Sequence, residues 1–247
     1  MGLYSPAWPP EKFPNGIVTY VHWLRQELLK RGHLVSVFVG AAARSDELNG
    51  IHIVETAILT KALQWVRRRF DMKADFVFSF GARIAEEVVR VHRRCPIDVF
   101  EMEESFGWVG SVISSDQFPV VVKLHGPAFL TLVDEGLSRE FVQKRIAAEG
   151  VGLASARVIT GPSRCVLSDT LARYELRPRI KAHVVNPLAL HAYAKTWNLE
   201  SSDRATLLFV GRFDKLKGGD RVLLAFKKIL QRRRDARLIF VGPDLGM

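Results

Sequence analysis

One stretch near the end of the chain constrains the fold most, because it joins a strand pattern to a helix pattern through a glycine-containing turn. Residues 207–210 form a short apolar run rich in β-forming side chains, and the run ends on Gly211. Residues 220–230 then place apolar side chains at helical spacing. A buried strand that leads directly into a helix is typical of the repeating unit of an α/β fold with a parallel sheet.

The turn within this unit carries two cations, Arg212 and Lys217, between Gly211 and the pair Gly218-Gly219. In open α/β sheets, ligands bind beyond the carboxyl ends of the strands, which is where this turn is expected to lie. Glycines free the backbone there, and two cations cannot both be buried without partners. The simplest partner is an anion, and a phosphate fits best. A βα loop with solvated surface charges is the alternative interpretation of the same residues.

The rest of the chain repeats the alternation of strand and helix. The first predicted strand ends at Ser5. The others cover residues 34–39, 51–54, 76–80, 97–102, 120–124 and 183–186. One predicted helix begins at residue 17, and the others cover 62–70, 82–94, the residues between Gly136 and Gly152, and 165–174. We therefore expect a Rossmann-like α/β domain with a parallel sheet over residues 1–186, a linker over 187–204, and part of a second domain over 205–247.

The composition is that of a soluble globular protein, with 48% hydrophobic and 25% charged residues in a chain of 247. No apolar run approaches the roughly 20 residues that a membrane-spanning helix needs, and the first ten residues do not resemble a signal peptide. We expect a cytoplasmic location. Cys95 and Cys165 form no CxxC pair, which indicates neither a zinc site nor a disulfide framework, and we expect both to be reduced helix residues.

The net charge of +10 favours anionic partners. Arg67, Arg68 and Arg69 lie in a predicted helix beside apolar residues, a pattern that suits attachment to an anionic membrane surface, at the inner face of the membrane. A solvated helix with snorkelling arginines is the alternative. Nucleic acid is not expected as a partner, because no surface pattern interleaves aromatic residues with the cations.

Further candidate site residues follow the predicted strands or precede the predicted helices. Asn15 and Gly16 lie at a helix N-terminus, where unpaired N–H groups and a partial positive charge favour an anion. Glu101 and Glu103 belong to a group of three carboxylates at a strand end, where they can contact acceptor hydroxyls or serve as a base, or can be solvated loop charges. The other two candidates are His125 and Ser163, each at the end of a strand.

The segment from Gly211 to Gly218 resembles the start of the second domain in retaining GT-B glycosyltransferases of family 4. The sequence His125-Gly126 after an apolar strand, and residues 154–163 with Ser163 at the end, are similar to further parts of that family. The resemblance implies that Arg212 and Lys217 hold the diphosphate of a nucleotide-sugar donor, that Gly16 faces the donor phosphates, and that His125 faces the transferred sugar.

The same resemblance implies sugar transfer with retention to an acceptor hydroxyl on a glycan or a lipid-linked glycan, as in polysaccharide biosynthesis, with no metal and no cofactor besides the donor. This chain departs from the family where it has Asn15 instead of glycine and Pro187-Leu188-Ala189 instead of Gly-Val-Asp. The two glutamates that the family places further on have no counterpart before residue 247, so we expect a truncated chain that is inactive as a fragment.

Three other functions are weighed against this one. A non-catalytic remnant that binds an acceptor or a partner protein would account for the departures from the family. Another GT-B enzyme, such as a nucleotide-sugar epimerase, is a further alternative. A dehydrogenase is disfavoured because no G-x-G-x-x-G follows any predicted strand.

Overall fold

The computed structural model describes residues 1–13, 15–40, 46–54, 73–132, 137–176, 181–185 and 198–243. The chain divides into two compact units, the first comprising Met1–Val133 with Leu137–Leu190, and the second comprising Asp134–Gly136 with His191–Met247.

In the described part of the first unit, strands and helices alternate along the chain. The strands are β1 Gly2–Ser5, β2 Ser36–Val39, β3 Ile51–Ile53, β4 Phe100–Glu103, β5 Val120–Lys123, β6 Val158–Gly161 and β7 Lys181–Val184. The helices are α1 Gly16–Lys30, α2 Lys73–His92, α3 Val109–Ser114, α4 Ala128–Thr131, α5 Arg139–Ala154 and α6 Arg164–Arg173. Short 3-10 turns cover Glu47–Asn49 and Ser105–Gly107.

These strands form one sheet in the order β3-β2-β1-β4-β5-β6-β7, and every neighbouring pair is parallel. The register places Leu3 beside Val37 and Phe100 beside Val120. Because all strands run the same way, their carboxyl ends meet at one edge of the sheet, which is where ligands bind in such folds. The expected α/β domain with a parallel sheet is confirmed.

The two faces of this sheet bury different side chains, as the alternation of a strand requires. On one face Leu3, Val37 and Val39 pack with Val21 of α1. On the other face lies a larger cluster from α2, α3, α5 and the strands, which includes Phe38, Phe100, Met102, Ile84, Val112 and Leu153. Helices therefore cover both faces, the usual arrangement for a parallel sheet.

The prediction of a strand over residues 76–80 is wrong, because these residues lie in α2, which runs from Lys73 to His92. A short apolar run does not by itself distinguish a strand from a buried part of a helix. Phe80, Ile84, Val88 and Val91 are all buried at helical spacing, so the apolar run begins the helix that was predicted from residue 82 onward. Gly81 continues this helix and lies directly against the backbone of Trp108.

In the described part of the second unit, the predicted strand and helix are both present, and a second strand follows them. Strand β8 is Thr206–Val210, helix α7 is Gly219–Leu230 and strand β9 is Arg237–Val241. The two strands are parallel, with Leu208 beside Ile239 and Val210 beside Val241. These four side chains share one face of the sheet and are all about half exposed or more.

Candidate functional site

The carboxyl edge of the first sheet collects a group of polar side chains from helix α1 and from strands β4 and β5. Tyr20 of α1 donates its hydroxyl to the carboxylate of Glu101 in β4, at 2.9 Å. The ammonium of Lys123 in β5 lies 5.5 Å from the centre of the Tyr20 ring and donates to the carbonyl oxygen of Val185 at 2.8 Å. We call Tyr20, Glu101 and Lys123 the Tyr20 network.

Burial governs the ionisation of this network. Lys123 is only 2% exposed, and its burial lowers the pKa of its ammonium, although Glu101 acts in the opposite direction. Burial likewise raises the pKa of Glu101, against the hydrogen bond from Tyr20 and the charge of Lys123. The pKa of the Tyr20 hydroxyl is raised by burial and by the neighbouring Glu101, so the hydroxyl remains a donor.

His125 lies immediately beside this network. Its ring contacts the Tyr20 ring edge-to-face, with the centres 4.9 Å apart. Burial, helped by the charge of Lys123, lowers the pKa of His125 to about 4. The imidazole is therefore neutral at pH 7, with one nitrogen that donates a hydrogen bond and one that accepts.

The backbone around His125 is held by a buried carboxylate, that of Glu104. It accepts hydrogen bonds from the N–H groups of His125, at 3.0 Å, and Gly126, at 2.8 Å. Burial, and then the charge of Glu103, raises the pKa of Glu104 to about 8. Glu103 is itself buried and accepts from the Ser105 N–H at 3.2 Å. Neither of these two carboxylates is a solvated loop charge.

A third buried carboxylate, Glu149 of α5, holds the start of helix α4. It accepts from the Ala128 N–H at 2.8 Å, the Tyr174 hydroxyl at 3.2 Å and Arg145 Nε at 3.2 Å. Arg145 also lies over the Phe106 ring, 4.2 Å from its centre. The loop that carries His125 is thus fixed at its start by Glu104 and at its end by Glu149.

Asn15 and Gly16 lie at a helix N-terminus, as predicted, whereas Ser163, expected at the end of a strand, follows β6 by two residues and lies at the N-terminus of α6. The Asn15 side chain accepts from the Ile17 N–H at 2.8 Å and caps α1. Among the residues that the structure describes, no other group lies close to where a side chain at Gly16 would begin, so the backbone there is open to them. Ser163 caps α6 by accepting from the Val166 N–H at 3.2 Å.

In the second unit, the turn between β8 and α7 carries Arg212 and Lys217, and both residues are exposed. Asp214 organises this turn: it pairs with Arg212 Nε at 3.0 Å, and its other carboxylate oxygen accepts from the Lys217 N–H at 2.7 Å. Gly218 has a φ of 77°, a backbone conformation that favours glycine, and leads into α7.

The structure therefore links Glu101 and His125 through Tyr20 in the first unit, and places Arg212 and Lys217 on one turn in the second. Sequence reasoning missed Lys123, Asp214 and Glu149. Two of these had a signal: Lys123 interrupts an apolar strand, where a charge must find a partner, and Asp214 precedes Lys217 by three residues, a spacing at which aspartate caps turns.

Two further predictions concern the thiols and the membrane. Both cysteines are free and exposed, but Cys95 follows α2 rather than lying within a helix. Arg67, Arg68 and Arg69 lie outside the described residues, so membrane contact through them stays a prediction. Among the helices that the structure describes, none has the length and apolarity needed to cross a membrane.

No protein-family model matches the chain, and no curated protein matches it in sequence. Solved structures match its fold. Sucrose-phosphate synthase from Thermosynechococcus elongatus is similar with a TM-score of 0.59 and 15% identity, over 98% of this chain and 70% of that one. The glycosyltransferase SnogD from Streptomyces nogalater is similar with a TM-score of 0.50 and 20% identity, over 99% and 67%.

A putative UDP-N-acetylglucosamine 2-epimerase from Listeria monocytogenes is also similar, with a TM-score of 0.51 and 14% identity, over 97% of this chain and 61% of that one. The chain thus has an α/β, Rossmann-like fold of the kind found in GT-B glycosyltransferases, which confirms the fold class expected from the sequence. At these identities the similarity shows the fold alone.

Proposed function

We propose that the protein is a glycosyltransferase that moves a sugar, with retention, from a nucleotide-diphosphate donor to a hydroxyl of a glycan or lipid-linked glycan. The observation that carries this proposal is the turn after β8, where Arg212 and Lys217 project from a glycine-containing loop at the carboxyl end of a parallel strand. The GT-B type of fold supports it.

The chemistry assigned to this turn is neutralisation of the leaving diphosphate. Negative charge grows on the diphosphate as the bond to the sugar breaks, and cations fixed nearby stabilise that charge. Arg212 contacts Asp214 through Nε, and a guanidinium has five N–H donors, so donors remain for phosphate oxygens. Because these side chains supply the positive charge, we assign no metal and no cofactor besides the donor.

The residues of the first unit are assigned to the sugar and the acceptor. The neutral imidazole of His125 can donate to, or accept from, a sugar hydroxyl. Gly16, at the open N-terminus of α1, is assigned to the donor phosphates. Asn15, Glu101 and Ser163 are assigned to the acceptor, whereas the buried Glu103 would act through Ser105.

Titration calorimetry with UDP, GDP and ADP tests the donor assignment. We expect Arg212→Gln and Lys217→Gln each to weaken binding about tenfold or more, since a hydrogen bond to a charged group contributes about 1.5–3 kcal/mol. Lys215→Gln is the matched control, because Lys215 is an exposed cation on the same turn. Equal losses in all three variants would indicate general charge attraction and contradict the assignment.

Experiments with the same protein and ligands distinguish the alternative functions. No binding of any nucleoside diphosphate at millimolar concentration would favour the non-catalytic remnant that binds an acceptor or a partner protein. Conversion of a UDP-sugar without an acceptor would favour an epimerase, a reaction named for one of the structures with a similar fold. For a transferase, the anomeric coupling constant of the product in proton NMR reports whether the configuration of the donor is retained.

A liposome assay tests the predicted membrane contact. Changing Arg67, Arg68 and Arg69 to Glu should abolish co-sedimentation with vesicles of anionic lipid, because attraction to such a surface scales with the basic charge. Unchanged co-sedimentation would end this part of the proposal.

A further inference from the structure

The contact between Tyr20 and His125 joins a helix residue to a loop residue more than a hundred positions away. Their rings meet edge-to-face at 4.9 Å, a favourable geometry for aromatic pairs. Tyr20 lies in the second turn of α1, the helix whose first residue is Gly16. One side chain thus links the helix assigned to the donor phosphates with the imidazole assigned to the sugar.

Tyr20 is itself fixed by two different interactions. Its hydroxyl donates to Glu101 at 2.9 Å, which fixes the tilt of the ring. The buried ammonium of Lys123 lies 5.5 Å from the ring centre, within the range of a cation–π contact. Lys123 cannot readily move away, because it is 2% exposed and its ammonium is bonded to the carbonyl of Val185.

The backbone of His125 has a separate support, the carboxylate of Glu104, which accepts from the N–H groups of His125 and Gly126. Loss of Tyr20 therefore leaves the loop held while it removes the ring that confines the imidazole. The titratable groups near this imidazole are Lys123 from β5, Glu101 from β4 and Glu104 after β4, and these remain in a Tyr20 variant.

We propose that Tyr20 is a positioning residue for His125, and that Glu101 and Lys123 act through Tyr20 by fixing its hydroxyl and its ring. Its role in catalysis rests on the proposed sugar transfer, whereas its effect on the His125 ring does not. An imidazole confined in one orientation presents the same nitrogen to the ligand in every molecule, and misplacement by about 1 Å can cost about a hundredfold in rate.

NMR titration of the histidine ring signals tests the proposal on the full chain. The variants are Tyr20→Leu, which removes the aromatic ring, and Tyr20→Phe, which keeps the ring and removes the hydroxyl. Tyr174→Phe is the control, since it removes another hydroxyl that donates to a buried carboxylate, Glu149. His125→Gln identifies the His125 signal, and the remaining histidine signals report whether each variant is folded.

In Tyr20→Leu we expect the pKa of His125 to rise by about one unit, because the ring that shields the imidazole from water is gone. In Tyr20→Phe the shift should be smaller, and in Tyr174→Phe there should be none. If the chain transfers sugar, kcat should fall about tenfold in Tyr20→Leu with little change in KM. Tyr20→Phe, which keeps the ring, should retain most of the kcat of the parent protein.

A His125 titration that is the same in Tyr20→Leu and in the parent protein would overturn the proposal. So would a shift of equal size in Tyr174→Phe, since that would indicate a general structural effect. Failure of the proposed function gives a different result, namely no binding of nucleoside diphosphates together with an unaltered dependence of His125 on Tyr20.

Discussion

The two units accommodate charged residues in opposite ways. In the first unit Lys123 is 2% exposed and bonded to the Val185 carbonyl, and Glu149 is fully buried with three partners. In the second unit Arg212 and Lys217 are exposed, and a local contact with Asp214 shapes their turn. The first arrangement depends on the tertiary fold, whereas the second depends on turn chemistry.

The apolar residues show the same difference. Val37, Phe38 and Val39 of β2 are fully buried, whereas Leu208 and Val210 of β8 are 64% and 70% exposed. Burial of a large aliphatic side chain contributes about 1.5–3 kcal/mol, so the first sheet gains much more from packing than the second. We infer that the first unit is the rigid part of the molecule.

The largest effect expected from this difference is in amide hydrogen exchange. Amides of β4 and β5 should be protected about a thousandfold or more beyond those of β8 and β9, because local opening ranges from nearly no cost up to the full free energy of unfolding. In the described residues β8 and β9 pair only with each other, and a two-stranded sheet is marginal in water. Exchange followed by mass spectrometry measures the ratio.

Equal protection of the amides in the two sheets would contradict the inferred difference in rigidity between the two units. It would mean that another surface covers the exposed face formed by Leu208, Val210, Ile239 and Val241. Repeating the exchange after tenfold dilution then identifies the surface that covers this face, because protection by a second copy decreases when the protein is diluted. Protection from within the same chain would not change.

Two glycines with left-handed backbone sharpen the comparison. Gly107 has a φ of 68°, and a side chain there would collide with the carbonyl of Ala148 in α5. Gly218 has a φ of 77°, and no group in the described part of the chain lies close to where its side chain would begin. Gly107→Ala should lower the free energy of unfolding by about 3 kcal/mol, through backbone strain and overpacking together. Gly218→Ala should cost only the strain, about 1 kcal/mol.

Urea unfolding followed by circular dichroism measures both glycine variants. Losses of equal size would show that close packing around Gly107 relaxes without cost, and that the two units do not differ at this level. A larger loss for Gly218→Ala would reverse the inferred order of rigidity.

The sequence was most informative where local pattern decides the structure. The apolar run at 120–124 predicted β5, found at Val120–Lys123, and the glycine-rich end of β8 predicted a turn followed by a helix. The run at 76–80 failed because a short apolar segment has the same appearance in a strand and at the start of a buried helix. The alternation of strands and helices was therefore predictable, but the type of the element that contains residues 76–80 was not.

The site was predictable only in part, because several of its contacts join distant residues. His125 could be found because it follows a strand, but the hydroxyl of Tyr20 reaches Glu101 across 81 positions. In the sequence Tyr20 is only one member of an apolar helix face. Glu149 forms an i,i+4 pair with Arg145, which is typical of a solvent-exposed helix surface, and nothing local shows that it is buried.

A pH-dependent contribution to stability is expected from the buried Glu104. Its pKa in the folded protein, about 8, is raised above the ordinary value of 4.5, so the carboxyl group is protonated in the folded state at neutral pH. Its contribution to stability is fully present below pH 4.5 and is lost as the pH rises through 8. Glu104→Gln does not titrate, so relative to the parent protein it should gain about 3–4 kcal/mol between pH 5 and pH 8, since each pH unit between the two pKa values contributes about 1.4 kcal/mol.

The control for Glu104→Gln is Asp203→Asn in the second unit. Hydrogen bonds from the Thr206 hydroxyl and the Ala205 N–H lower the pKa of this exposed carboxylate, which stays ionised throughout that range. Its variant should show no relative change with pH. Urea unfolding at pH 5, 6, 7 and 8 provides the comparison, and parallel pH profiles for Glu104→Gln and the parent protein would contradict the buried-carboxyl explanation.

The smallest expected effect is the difference in stability contributed by a buried and by an exposed ion pair. Arg145 and Glu149 are 3.2 Å apart with side chains 16% and 0% exposed, whereas Arg233 and Asp235 are closer, at 2.7 Å, but 52% and 63% exposed. Arg145→Met should cost about 1–2 kcal/mol of unfolding free energy, because it leaves a buried carboxylate without its cation, although protonation of Glu149 offsets part of the loss. Arg233→Met should leave the unfolding midpoint unchanged, because water already screens that pair.

Thermal unfolding of both variants in low and high salt measures the difference. A loss in Arg233→Met as large as that in Arg145→Met would show that distance, rather than burial, governs the strength of these pairs.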